Sequence, residues 1–207
     1  KIMVGDRWLD FIVRIETGTI NRHFYAIAVL RGINESLDRP DGSHWNKKLI
    51  YQFRGGVGIG KRQGNIKPSD ILKRRKQQLS EGYAVVYSSA NQTSNHYNMW
   101  LAEDTALRLK RQFSALYGEP IYTVGIGGSG GAIQQFLLAQ NNSEILDGII
   151  PLYSYPDMVS QTIYVLDCEP LEYFFDVVDQ NNSRWNSWQR RSAVEGLSAS
   201  EDATNLF

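Results

Sequence analysis

The stretch Ile121-Tyr122-Thr123-Val124-Gly125-Ile126-Gly127-Gly128-Ser129-Gly130-Gly131-Ala132-Ile133-Gln134-Gln135-Phe136 decides how this chain folds. Its first six residues, rich in β-branched and aromatic side chains, read as a strand. From Ala132 to Gln140 the side chains of Ile133, Phe136, Leu137 and Gln140 fall on one helical face. The five residues between include four glycines, so Ser129 stands on a strand-to-helix turn. Working outward, Trp8–Ile15 and Phe24–Leu30 read as an opening pair of strands with Glu16-Thr17-Gly18-Thr19 between them. Lys48–Phe53 (KLIYQF) is a third strand running into the glycine-rich Gly55–Gly60, and Tyr83–Ala90 a fourth. Asn98–Tyr117 is a helix with Leu101, Thr105, Leu109, Phe113 and Leu116 on one face, stopped by Gly118. Ile121–Ile126 is then the fifth strand and Gly148–Tyr153 the sixth. Alternating strands and helices predict a three-layer α/β sandwich around a mostly parallel sheet.

A serine hydroxyl attacks a carbonyl only when a base takes its proton and preplaced donors meet the developing oxyanion. Gly127-Gly128-Ser129-Gly130-Gly131 resembles the nucleophile elbow of α/β-hydrolases, where the amide after the serine faces the oxyanion. That amide belongs to Gly130. The second donor of such a site comes from the loop after an early central strand, and Arg54-Gly55-Gly56-Val57-Gly58 occupies that place, with Gly55 or Gly56 as donor. Two other glycine readings compete. Gly55-x-x-x-x-Gly60-Lys61 nearly spells a phosphate-binding loop, but Arg62 replaces the Ser/Thr that holds magnesium, and Gln63, Gly64 and Pro68 disfavour a following helix. Gly125-x-Gly127-x-x-Gly130 spells a dinucleotide fingerprint, yet Asp147 precedes the next strand and Asp157 lies beyond it, so neither suits the ribose. A nucleotide-binding module remains the alternative function, beside a non-catalytic subunit that keeps the elbow for packing.

In α/β-hydrolases the acid and then the histidine follow the serine. All three histidines, His23, His44 and His96, precede Ser129. His96, after the fourth strand, is the one that an irregular arrangement would use. Asp157, after the sixth strand, is a candidate orienting acid or a turn residue. The expectation is that the base lies on another chain or segment.

The bulk numbers bound the rest. At 207 residues, 42% hydrophobic and 21% charged, the chain suits one domain with a real core rather than a disordered or fibrous protein. Lys+Arg and Asp+Glu are equal at 22 each, so no net field draws it to nucleic acid or an anionic membrane, and a small or neutral partner is expected. No apolar run approaches the roughly 20 residues that span a bilayer. No cofactor or metal site is expected. Lys73, Arg74, Arg75 and Lys76 read as a solvated helix face. Cys168, the only cysteine, is a buried thiol, a reactive one, or half of a disulfide to another chain. Four Asn-x-Ser/Thr triplets begin at Asn34, Asn91, Asn141 and Asn181.

Several segments are similar to a family of large, secreted bacterial α/β-hydrolase-like proteins of unassigned function. They are Arg14–Arg22 (RIETGTINR), Trp45-Asn46 before the KLIYQF strand, Glu81-Gly82-Tyr83-Ala84, the Gly127–Gly131 turn with Gln134-Gln135, and Leu146–Pro151 (LDGIIP). The Trp-Asn pair, the glycine loop and the Asp-Gly-Ile-Ile run also resemble tannases and feruloyl esterases. The likeness runs from about Arg14 to Cys168. It implies an α/β-hydrolase-like fold of about six strands in residues 1–157, with a helical lid, cap or linker in 158–207. It further implies a secreted or periplasmic serine esterase whose export signal is removed, acting on a small-molecule ester. A second polypeptide would complete its fold, possibly linked through Cys168, with no nucleic-acid or membrane partner.

Overall fold

The computed structural model describes residues 1–196 apart from 5, 37 and 59, and the side chains of 158 and 161–165 stay outside the description. The chain divides into two compact units, Lys1–Ser154 and Tyr155–Phe207. The first opens with a small antiparallel hairpin, β1 (Ile2–Val4) and β2 (Arg7–Leu9). The main sheet has six strands: β3 (Val13–Ile20), β4 (His23–Leu30), β5 (Lys48–Arg54), β6 (Ala84–Gln92), β7 (Tyr122–Gly128) and β8 (Gly148–Leu152). Their order is β3-β4-β6-β5-β7-β8. Both pairings of β4 are antiparallel, and the four strands β6, β5, β7 and β8 run parallel. The fold is an α/β-hydrolase fold, of which this chain carries six sheet strands.

Two details of the opening strands differ from the sequence reading. Trp8–Ile15 is not one strand: Trp8 belongs to β2, a turn closed by the Ile12 amide on the Asp10 carbonyl (2.9 Å) intervenes, and β3 starts at Val13. Glu16-Thr17-Gly18-Thr19 is strand rather than turn, because Gly18 faces Tyr25 across the pair and the Tyr25 hydroxyl donates to Glu16 (3.1 Å). The reversal falls on Asn21 and Arg22, whose φ angles of 52° and 66° suit a two-residue hairpin.

The helices α1 (Pro68–Ser80), α2 (Met99–Tyr117) and α3 (Gly130–Asn141) cover the sheet. Strand alternation sorts β5 between two cores. Leu49, Tyr51 and Phe53 pack with α2 and α3, while Ile50 packs with Ile71 and Leu79 of α1. β5 is buried on both faces because it is central, its apolar run Leu49–Phe53 broken only by the buried Gln52. In α2, Asn98 caps the helix by accepting from the Leu101 amide (3.1 Å), and Ala102, Thr105, Ala106, Leu109, Phe113 and Tyr117 are buried. Leu101 and Leu116 are only half-buried. Burial of Leu109 and of Phe113 contributes about 1.5–3 kcal/mol each. A helix does follow the glycine loop: Pro68 supplies the first turn of α1, where its missing N–H costs nothing.

In the second unit α4 (Met158–Tyr173) continues into a π-turn at Phe174–Val178, and a 3-10 turn (Ser183–Asn186) leads to α5 (Trp188–Glu195). Its centre is Phe175, 2% exposed, with Trp185 4.4 Å away ring to ring. Arg191 lies over Phe175 and pairs with Glu172 (3.0 Å) and Asp176.

Candidate active site

Ser129 links β7 to α3 with φ 56° and ψ −127°, a conformation that costs a residue with a Cβ about 1–3 kcal/mol. The surroundings fix it there. Its amide donates to the Leu152 carbonyl (3.2 Å) at the end of β8, and its carbonyl accepts from Ala132 (2.8 Å) in the first turn of α3. The half-buried serine lines a cleft of about 410 Å³ at the carboxyl ends of β5 and β7, together with Gly55, Gly56, Gly127, Gly128, Leu152 and Tyr153.

The glycine loop and the elbow touch. A Cβ on Gly55 would lie 2.8 Å from the Gly128 carbonyl oxygen and 2.9 Å from the Gly130 amide nitrogen, so only glycine lets the loop come this close. A Cβ on Gly130 would run into Thr93, 2.8 Å from its Cβ. Thr93 in turn donates its hydroxyl to the Gly56 carbonyl (2.6 Å). It arrives there because the β5–β6 register shifts between Gln52, opposite Tyr87, and Arg54, opposite Gln92. Ser129, Gly130, Gly55 and Gly56 are therefore assembled at one place by three successive strand ends.

Two glutamines, Gln134 and Gln135, hold this assembly from below. The Gln135 amide donates to the Gly127 (3.0 Å) and Gly131 (2.8 Å) carbonyls, and its oxygen accepts from the Ile150 amide (3.1 Å), joining β7, α3 and β8. Gln134 donates to the Arg54 carbonyl (3.3 Å). Beside it, buried Asn91 accepts from the Tyr51 hydroxyl (2.7 Å) and donates to the Ala102 carbonyl (3.0 Å). The sheet-facing side of α3 is thus Gly131, Ala132, Gln135 and Leu138, whereas Ile133, Phe136 and Leu137 are half-buried and Gln140 is exposed. The expected apolar face was displaced because the sheet side must approach closely and serve backbone carbonyls. The sequence signal was the Gln pair immediately after the glycines.

Arg54, Arg74 and Arg75 also line the cleft. Lys73 and Lys76 are exposed, as a solvated face requires, but Arg75 is half-buried and donates to Gln52 (3.1 Å). Burial, then the neighbouring Arg74 charge, lowers the Arg75 pKa. The Arg54 guanidinium lies 4.6 Å from the Tyr87 ring centre and 3.5 Å from Asp70. Burial pushes the Tyr87 hydroxyl up to about 12 despite the Arg54 charge.

The described residues lining the cleft include no histidine. His23 and His96 form a buried pair with ring centres 4.9 Å apart; His23 contacts the Gln63 carbonyl (3.1 Å), and His96 accepts from the Asn98 amide (3.1 Å). Burial lowers both pKa values. His44 contacts the Arg31 carbonyl (2.6 Å). Asp147 pins the start of β8 to β7 by accepting from the Thr123 amide (2.7 Å). Asp157 caps α4, its carboxylate accepting from the Ser160 amide (3.0 Å) and hydroxyl (2.7 Å), which hold its pKa down. The half-buried Cys168 thiol is pushed up by burial, then by Glu195, Asp167 and Glu172. Among the described residues no cluster of three or more His, Cys, Asp or Glu side chains is placed to hold a metal ion, and no helix is long and apolar enough to cross a membrane. Asn34, Asn141 and Asn181 are exposed, but Asn91 is 0% exposed.

The family model described as "Tannase-like family of unknown function (DUF6351)" matches residues 2–206. No curated protein matches the chain. Among solved structures, the chain is similar to brefeldin A esterase, a bacterial homologue of human hormone-sensitive lipase, with 15% identity, 80% of this chain and 48% of that one covered, and a TM-score of 0.40. It is also similar to an α/β hydrolase fold protein from Chitinophaga pinensis (15% identity, 79% and 55% covered, TM-score 0.44). A third is MGS-M1, an α/β hydrolase from a Medee basin deep-sea metagenome library (16%, 75% and 75%, 0.45). The chain spans about half the length of the first two.

Proposed function

Since this chain belongs to the tannase-like family, we propose that it carries the nucleophile-bearing part of a serine esterase, with Ser129 attacking the ester carbonyl. The observation that carries this reading is the strained Ser129 turn, seated in a cleft with its following amide against Gly55. Attack forms a C–O bond from the Ser129 oxygen while a histidine base takes the hydroxyl proton. The amide of Gly130 and that of Gly55 or Gly56 receive the oxyanion. Collapse expels the alcohol, which takes the proton from the base, and water then cleaves the acyl-serine by the same steps in reverse.

The base and its acid come from a further polypeptide or segment. This is supported by the described residues lining the cleft, which include no histidine, and by β8, the last strand in the sheet order, where Ile150 and Leu152 are 47% and 39% exposed and a further parallel strand would have room to pair. Asp157 is the orienting acid within this chain only if it leaves its cap. The same reading has the helical unit act as a lid, and places the protein outside the cytoplasm, where a Cys168 disulfide to the second polypeptide persists.

The test is intact mass of the natively purified protein after a fluorophosphonate probe, with and without reductant. One adduct that Ser129→Ala abolishes, with labelling slowed at least about 10³-fold, supports the esterase. A folded protein that takes no adduct leaves a non-catalytic subunit instead.

A further inference from the structure

The cleft beside Ser129 carries more positive charge than its own acids balance. Three guanidiniums line it, those of Arg54, Arg74 and Arg75, and Asp70 pairs with Arg54. That pair is loose: Asp70 stands 3.5 Å from Arg54 Nη2, against about 2.7–2.9 Å for a charge-assisted hydrogen bond. Arg54 Nε and Nη2 are withdrawn from solvent yet have no hydrogen-bond partner among the described residues. A buried donor left in this state is satisfied when a ligand supplies an acceptor.

The fold holds the guanidinium ready for such an acceptor. Strand alternation sends Arg54 to the same side of β5 as Gln52, where the Tyr87 ring supports it at 4.6 Å. Arg75 sits where α1 loses helical geometry (φ −122°, ψ 20°), and Gln52 takes only one of its nitrogens (3.1 Å). Arg54 also directly precedes Gly55, whose backbone abuts the Ser129–Gly130 turn, so cation and nucleophile belong to one continuous wall. A planar fork of donors matches a carboxylate, and the cleft's volume of about 410 Å³ suits a small molecule.

We propose that Arg54, backed by Arg74 and Arg75, forms an anion subsite that selects esters bearing a carboxylate on the portion lying towards α1. The proposal rests on the Ser129 reading for the word ester, but not for the binding of the anion. Arg54 donates from Nε and Nη2 to the carboxylate oxygens, displacing the loose contact to Asp70, while Arg74 and Arg75 supply attraction at the mouth.

The two layers separate by calorimetry with benzoate and its neutral isostere benzamide, on the natively purified protein. The wild type should bind benzoate at least about tenfold more tightly than benzamide, and Ser129→Ala should keep that ratio. Arg54→Gln should bring the ratio to about one, with folding checked by circular dichroism. Should that variant not fold, Arg74→Gln, at an exposed position, must itself weaken benzoate binding by about threefold or more. Equal binding of benzoate and benzamide, a preference that survives Arg54→Gln, or tight binding of phenyl phosphate without benzoate would each overturn the subsite. A benzoate preference in a protein whose Ser129 takes no fluorophosphonate would remove the esterase reading and leave the anion site standing.

Discussion

Ser129→Gly should make the protein more stable than Ser129→Ala, although both lack the hydroxyl. The φ of 56° and ψ of −127° at this position strain any residue with a Cβ by about 1–3 kcal/mol. Glycine escapes that strain but loses about 0.5–1 kcal/mol through the greater freedom of its unfolded chain. The difference leaves Ser129→Gly up to about 2.5 kcal/mol above Ser129→Ala, and the comparison with alanine removes whatever the hydroxyl contributes. Each kcal/mol corresponds to about 2–4 °C in a chain of this size. The assay is urea unfolding of both variants by tryptophan fluorescence, with melting temperatures as a second readout. A glycine variant no more stable than the alanine variant, at equal urea sensitivity, would refute the claim that the backbone is strained. Without strain the turn loses its main mark as a nucleophile elbow.

Three further outcomes follow from neighbouring contacts. Gly130→Ala forces its methyl against Thr93 and disturbs the Thr93–Gly56 bond, so it should cost about 1–3 kcal/mol and slow Ser129 phosphonylation about 10²-fold; Thr93→Ala in the same chain should recover part of the stability but not the rate. Gln135→Leu strands the Gly127 carbonyl and the Ile150 amide and removes the side-chain bond to the Gly131 carbonyl, and should cost at least about 2 kcal/mol in urea unfolding. The two units should answer pH in opposite senses. Burial, then Glu172, pushes the Glu195 carboxyl up to about 7, so its contribution to stability is present below about 4.5 and lost as pH rises through 7. His23 and His96 are lowered from 6.5, so theirs is present above 6.5 and lost as pH falls through the lowered values. Amide-exchange protection factors between pH 5 and 8 should therefore fall in α4–α5 and rise in β4 and β6, and Glu195→Gln should abolish the first trend alone.

What the sequence disclosed was local. The strand before Ser129, the glycines and the helix after them stand next to one another, and periodicity with turn chemistry locates all three. Gly55 and Gly56 were legible for the same reason, as a glycine run directly after a central strand. The sheet-facing side of α3 was not, because hydrophobic spacing searches for large apolar residues and this side is made of Gly131, Ala132 and Gln135. Thr93 was invisible, since its place depends on the register shift between β5 and β6. Arg74 and Arg75 were hidden inside a run of four cations. Which of them meets the cleft depends on how α1 lies on the sheet and breaks at Arg75. The opening hairpin is hard to place from sequence because its reversal falls on Asn21 and Arg22, and Arg is an uncommon choice for positive φ.

Burial of Asn91 sets a race during biosynthesis wherever asparagine-linked sugars are attached. Oligosaccharide transfer needs the Asn91-Gln92-Thr93 triplet extended and open to solvent, whereas folding locks Asn91 onto Tyr51 and Ala102 and Thr93 onto Gly56. A glycan at this position has no room in the finished sheet. Chains that acquire it are diverted from the native state, and chains that close β6 first are immune. Production in such a host thus trades native yield against the speed of strand docking, while a bacterial host faces no such contest.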